Sequence, residues 1–190
     1  DGVQQVADAS GGLAGGADEQ KALVEEALGI DNRDDLAAKL GGDSATWDQF
    51  FEVGAEFVAN SDAAWFGVPA FLWNSFVNQQ PEGYYTNAGE LNVEGNAVLE
   101  EFLGKIVQAD KDGLSAKVNA WEWANEDFHG KFAVHVAPGW MLGAVQGAVD
   151  SGDDVWDFAD VFPGGATNWG GSFFGVSESS QQKEEAFKLA

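Results

Sequence analysis

Apolar residues fall into helical register only after the first seventeen positions. Residues 1–17 place Gly11, Gly12, Gly15 and Gly16 among small and polar neighbours, the pattern of a loop or linker. From Asp18 onward Leu23, Val24, Ala27 and Leu28 share one helical face before Gly29, and Leu36, Ala37 and Leu40 predict a second short helix closed by Gly41 and Gly42. Thr46 followed by Gln49 is a capping box. Behind it Trp47, Phe50, Phe51, Gly54, Phe57 and Val58 recur at helical spacing, so this helix should carry an aromatic face into the core.

Trp65 to Gln80 is apolar with Gly67 and Pro69 inside, which predicts a short strand or turn running into a helix that contains Phe71, Trp73 and Phe76. Residues 81–95 are rich in turn formers. Val98, Leu99, Phe102, Leu103, Ile106 and Val107 then predict a helix laid on a core and ended by Asp110-Lys111-Asp112-Gly113. Further on, a helix is expected from about Asn119 to His129, an alternating strand over Lys131 to Val136 and a helix over Pro138 to Val149. Strands are also expected at Trp156 to Phe162 and Gly171 to Val176, and a last helix capped by Ser179 with Gln182, with Ala186, Phe187 and Ala190 on one face. Strands separated by amphipathic helices predict an α/β architecture with helices packed on a central mixed sheet.

The chain has 190 residues, 45% of them hydrophobic, enough to bury a real core. Its 32 acidic side chains face nine basic ones, a formal charge of -23, which repels nucleic-acid phosphates and anionic membranes. There is no cysteine, so neither a disulfide framework nor thiolate chemistry is available, and two histidines do not make a zinc cluster. The longest apolar runs, such as Gly67 to Phe76, fall short of the roughly 20 residues of a membrane span. The chain has no initiator Met or signal-peptide pattern and stops at Ala190 within a predicted helix, so it is read as part of a longer precursor.

Candidate chemistry is sparse. His129 and His135 lie six apart with no nucleophile elbow near them and read as a surface and a strand histidine. Glu122 and Glu126 share a helical face, but 32 acids make any such pair uninformative as a glycosidase acid and base. Asp110-Lys111-Asp112-Gly113 lacks the closing Glu of a calcium loop, and Asp150, Asp153, Asp154 and Asp157 lack its Gly. Gly164-Gly165 and Gly170-Gly171 are followed by no Lys-Ser/Thr, which argues against a phosphate loop. No catalytic residue, metal ligand or cofactor is assigned.

The eight tryptophans carry more information. Trp47, Trp65 and Trp156 read as core, whereas Trp121 and Trp123 cannot both face the core from one helix. Trp140 follows Ala137-Pro138-Gly139 just after an apolar strand, and Trp169 lies in Asn168-Trp169-Gly170-Gly171-Ser172 just before one. Strand ends are where open α/β sheets hold ligands, and an indole flanked by glycines has little to cover it. A neutral sugar suits such a site: the indole faces its C–H surface while amides and backbone groups take its hydroxyls, the usual division of a small-molecule site. Trp73-Asn74 pairs both kinds of group.

Five stretches carry a resemblance, in the same order along the chain: Thr46-Trp47-Asp48-Gln49-Phe50, Phe128 to Val134, Pro138-Gly139-Trp140-Met141, Trp169 to Val176, and the helix Ser179 to Leu189. Together they resemble the extracellular solute-binding proteins of ABC sugar importers, the group that includes maltodextrin-binding proteins. Ala137 to Gly143 with Asn168 to Ser172 is similar to an actinobacterial branch that binds cellobiose and xylo-oligosaccharides. The resemblance implies a periplasmic-binding-protein-like lobe with the other lobe largely missing, a linker at 1–17, the second lobe at 18–162, and a crossover strand and helix at 163–190. It implies that Trp140 stacks on sugar, that Trp169, Gly170 and Gly171 with Asn168 line the cleft, and that Phe71, Trp73 and Asn74 add contacts. It further implies a monomer outside the cell or in the periplasm, lipid-anchored in its full-length form, handing a neutral oligosaccharide to ABC permease subunits without chemistry on it. The alternatives are a glycoside hydrolase, which needs a carboxylate pair about 5 to 10 Å apart, and a non-catalytic carbohydrate-binding or surface-adhesion domain.

Overall fold

The structure, a computed structural model, describes residues 26–119, 131–149, 159–171 and 175–189. Residues 26–28 are helical and stop at Gly29, whose φ of 61° is the left-handed value the sequence called for. Helix α1 (Arg33–Lys39) follows, its first turn closed by the Asn32 side chain, which accepts the N–H groups of Asp34 and Asp35 at 2.9 and 3.1 Å. Acids in that first turn and Lys39 in the last suit the helix dipole. After a short 3-10 turn at Gly42–Ser44, helix α2 (Trp47–Ala59) is capped by Thr46 Oγ1, which accepts the Gln49 N–H at 3.2 Å. Its buried residues are Trp47, Phe50, Val53, Gly54 and Phe57.

Strand β1 (Ala64–Phe66) leads through Gly67 and Val68 into α3 (Pro69–Gln79), where Pro69 occupies the first turn that tolerates a missing N–H. The turn-rich stretch precedes α4 (Ala97–Lys111), and strand β2 (Phe132–Val134) pairs parallel to β1 in the register Ala64↔Phe132 and Phe66↔Val134. On the other edge of β1, the N–H groups of Trp65 and Phe66 both reach Leu114 O at 2.9 Å, and Ala116 N–H reaches Phe66 O at 2.9 Å. β1 is thereby paired on both edges, and Trp65, Phe66, Phe132 and Ala133 are fully buried. Helices α5 (Met141–Val149) and α6 (Lys183–Leu189) complete the described elements.

A large buried cluster joins Leu36, Trp47, Phe50, Phe57, Trp65, Phe66, Phe102 and Ile106 across α1, α2, β1 and α4. Phe76 of α3 stacks flat on Phe102 of α4 at 3.7 Å. A smaller cluster joins Val68, Phe71, Val118, Phe132, Met141 and Val145, with Trp169 packed against it. Helices thus cover a small parallel sheet in an α/β lobe.

Several expectations change. On α4 only Leu99, Phe102, Ile106 and Ala109 are buried, while Val98, Leu103 and Val107 are exposed, because one layer of neighbours covers a single stripe of a helix. In β2 Phe132 and Ala133 are both fully buried rather than alternating, as befits a parallel strand covered on both faces. Residues 138–140 are a turn ahead of α5, closed by Met141 N–H to Pro138 O at 2.9 Å. Residues 159–162 are not a strand. They are a strap whose Val161 and Phe162 pack on the large cluster, and an apolar, extended pattern serves that as well as a ladder does. Gly171, Gly175 and Val176 are likewise outside any strand. Gln182 N–H is accepted by Ser180 Oγ at 3.2 Å, so Ser180 takes the place expected of Ser179, and Phe187 points into solvent. The expected helix at 120–129, Trp121, Trp123, Trp156 and Ala190 lie outside the described residues.

Gly54 lets α2 approach β1: a Cβ there would run into the Trp65 ring. Gly104 on α4 faces open space. Gly54→Ala should destabilise the fold by about 1–3 kcal/mol through overpacking, whereas Gly104→Ala should stabilise it by up to about 1 kcal/mol through helix propensity. Urea unfolding of the two variants checks both signs.

Candidate ligand-binding site

Trp140 sits in the turn between β2 and α5 and is 59% exposed, while its neighbour Met141 is 1% exposed and belongs to the smaller cluster. The buried Met141 and Val145 fix the start of α5, so the turn is anchored from below and its indole is held out to solvent. Such a large exposed apolar surface, next to Gly139 and Pro138, is the sort that marks a binding face.

Trp169 reaches the same cluster from the strap. Its ring meets Phe71 edge to face, with centroids 4.5 Å apart and planes at 84°. Phe71 itself is 2% exposed, so it acts as the floor under Trp169 and offers no free face of its own. Residues Phe71, Ser75 and Gln79 lie at i, i+4 and i+8 on one face of α3, and the strap runs along that face. Thr167 Oγ1 donates to Ser75 O at 2.8 Å, and Gln79 Nε2 donates to Pro163 O and Gly165 O, each at 2.8 Å. Gln79 Oε1 accepts the indole N–H of Trp47 at 2.8 Å. Gly164 N–H bonds Ala45 O at 2.8 Å, and Gly164 and Gly165, with φ at 76° and 83°, are both left-handed residues of the strap. Asn168 Oδ1 accepts the Gly170 N–H at 3.2 Å, a local turn that shapes the exposed Asn168, Gly170 and Gly171 beside the half-buried Trp169.

Trp73 and Asn74 part company with this group. Two residues from Phe71 is about 200° around a helix, so Trp73 lies on the opposite face of α3. It packs against the large cluster, and its indole N–H donates to Tyr84 Oη at 2.8 Å. Asn74 Oδ1 accepts from Asn78 Nδ2 at 3.3 Å. The structure therefore brings Phe71 and Trp169 together on one apolar cluster, to which Trp140 is joined through its neighbour Met141, and leaves Trp73 with another. Gln79, Thr167 and Tyr84 were not singled out in the sequence. The signal for the first was its position two turns beyond Phe71 on the same helical face.

His135 packs between the elements of the site, with ring centroids 5.4 Å from Phe71 and 5.8 Å from Phe132. Burial pushes its imidazole down to about 4, so the ring is neutral near pH 7. It also borders an apolar cavity of about 160 Å³ between α1, the end of β2, α5 and the strap, which neither Trp140 nor Trp169 lines. Among the described residues, no group of three or more His, Asp or Glu could hold a metal ion, and no helix is long and apolar enough to cross a membrane.

The described residues thus form an α/β lobe with an exposed indole in the turn after β2 and a second indole on the strap. The chain is similar to a crystal structure described as an extracellular solute-binding protein family 1, with 36% identity and a TM-score of 0.75. The match covers 87% of this chain and 42% of that one, so the chain spans about two fifths of the length of the protein it resembles. The likeness is one of sequence as well as of fold, and it supports the general family of extracellular solute-binding proteins. A scan against protein-family models and a search of curated proteins return no match.

The His135 environment gives a pH dependence. In the unfolded chain the imidazole takes up its proton near 6.5, whereas the folded chain refuses it until about 4. Between those values the unfolded state binds more protons, so this histidine's contribution to stability is complete above 6.5 and falls on acidification by up to about 1.4 kcal/mol per pH unit. Urea unfolding of the chain and of His135→Phe at pH 7 and pH 5.5 should show the smaller loss in the variant; equal losses would contradict the assignment.

Proposed function

We propose that this chain is part of an extracellular binding protein that captures a neutral oligosaccharide and delivers it to an ABC transporter permease, without chemistry on the ligand. The single observation that carries the reading is the exposed Trp140 indole, next in the chain to Met141 of the apolar cluster on which Phe71 and Trp169 also pack, in a lobe 36% identical to a solute-binding protein. Trp140 and Trp169 stack on pyranose rings in this reading, and Asn168, Gly170 and Gly171 offer hydroxyl partners. Phe71 contributes through Trp169, while Trp73 and Asn74 form a separate contact zone next to Tyr84.

Residues 18–162 act as the second lobe of a two-lobe protein, and 163–190 return toward the first. Sugar is then held between the lobes by hinge closure. A chain with a net charge of -23 suits an uncharged ligand, since anionic saccharides would be repelled and cationic ones bound without selectivity. The favoured ligands are β-linked, of the xylo- or cello-oligosaccharide type. Delivery outside the cell or in the periplasm, from a lipid-anchored monomer, completes the proposal.

The test is calorimetric titration of the intact protein with β-xylo-, cello- and malto-oligosaccharides, repeated for Trp140→Ala. Because Trp140 is exposed, its loss should change stability by no more than about 0.5 kcal/mol. Removing a principal aromatic contact should cost affinity about tenfold or more. Unchanged affinity would remove Trp140 from the site, and hydrolysis of an aryl glycoside by the protein would replace transport with glycoside hydrolysis.

A further inference from the structure

We propose that Gln79 is a positioning residue for the binding face: its amide sets where Trp169 stands by holding the strap that carries it. The proposal rests on the reading that Trp169 touches ligand, but its argument is geometric.

An amide has one strong acceptor and two donors, and all three positions of Gln79 are used. Oε1 takes the Trp47 indole N–H, and the two hydrogens of Nε2 go to Pro163 O and Gly165 O, every bond 2.8 Å long. The polarity is therefore fixed: a donor stands at one end of the amide and two carbonyls at the other. Gly164, between those carbonyls, is pressed against the amide so closely that a Cβ would come within 2.7 Å of Oε1. Two residues beyond Gly165, Thr167 makes the next tie to α3 through Ser75 O at 2.8 Å. Two residues further Trp169 lands edge-on against Phe71. Only Ala166, Thr167 and Asn168 separate Gly165 from Trp169, so the two ties to α3, at Gln79 and at Ser75, set the path along which the strap reaches the indole's place on Phe71.

Substitutions of similar length separate polarity from volume. Gln79→Glu keeps an acceptor for Trp47 and turns its second carboxylate oxygen, in the place of Nε2, toward the two strap carbonyls, converting attraction into repulsion. Gln79→Met fills the same space and bonds neither side. The full chain labelled with 5-fluorotryptophan reports on its indoles by fluorine NMR, with Trp47, Trp65 and Trp169 assigned by single Trp→Phe changes. The expected result is that the Trp169 resonance moves in both Gln79 variants, the Trp47 resonance moves mainly in Gln79→Met, and the Trp65 resonance stays in place. A Trp169 resonance unmoved in both would overturn the proposal.

Should either variant fail to fold, Thr167→Val removes only the strap's second tie. It is expected to move the Trp169 resonance and not that of Trp47; no movement there equally counts against positioning by the strap. No saccharide enters this experiment, so its failure is distinct from that of the sugar-binding reading, which stands or falls on the titrations above.

Discussion

The Trp47 indole is 7% exposed, and its N–H must find an acceptor or cost the fold the price of a buried unpaired donor. The Gln79 carbonyl meets that need, and in doing so it turns the other end of the same amide toward the strap. One side chain thereby ties the start of α2, the end of α3 and residues 163–165 together. Each bond contributes only about 1 kcal/mol net, but the three share a single rigid plane. The strap runs outward from this junction: Thr167 bonds Ser75 O, and Trp169 then lies on Phe71.

The tryptophans divide by what surrounds them. Trp47 and Trp65 are walled in by α2, β1 and α4, with Gly54 cut away to admit the Trp65 ring. Trp73 spends its N–H on Tyr84 at the other side of α3. Trp169 is half-buried and leans on the smaller cluster, and Trp140 has its backbone anchored by Met141 while its ring stays in solvent. An aromatic residue that is held firmly and left uncovered is preorganised for a flat apolar partner, and little ordering cost remains when that partner arrives. The acidic surface keeps polyanions away from the same face.

Much of this was legible in the sequence wherever one local rule decided the outcome. Thr46 with Gln49 marked the start of α2, Gly29 and Gly41 marked helix ends, Pro69 marked the start of α3, and the exposure of Trp140 followed from its glycine- and proline-flanked turn. Failures came where a periodic pattern had two solutions. The stripe of α4 was twice as wide as the surface its neighbours could cover, and Val161 with Phe162 pack as a strap where a strand was expected over Trp156 to Phe162. Phe71 and Trp73 are adjacent in pattern but opposite in space, a consequence of the helical turn between them. Helical spacing placed Gln79 on the Phe71 face of α3 but not its partners, because the groups it joins, the Trp47 indole and the Pro163 carbonyl, are 32 and 84 residues away.

The central claim is that the faces of Trp140 and Trp169 receive an uncharged oligosaccharide. A crystal structure of the intact protein grown with a cello- or xylo-oligosaccharide tests it most directly. Pyranose rings should lie flat on both indoles, with hydroxyls near Asn168 and the backbone of Gly170 and Gly171. A saccharide bound elsewhere on the molecule, with both indoles bare, would contradict it.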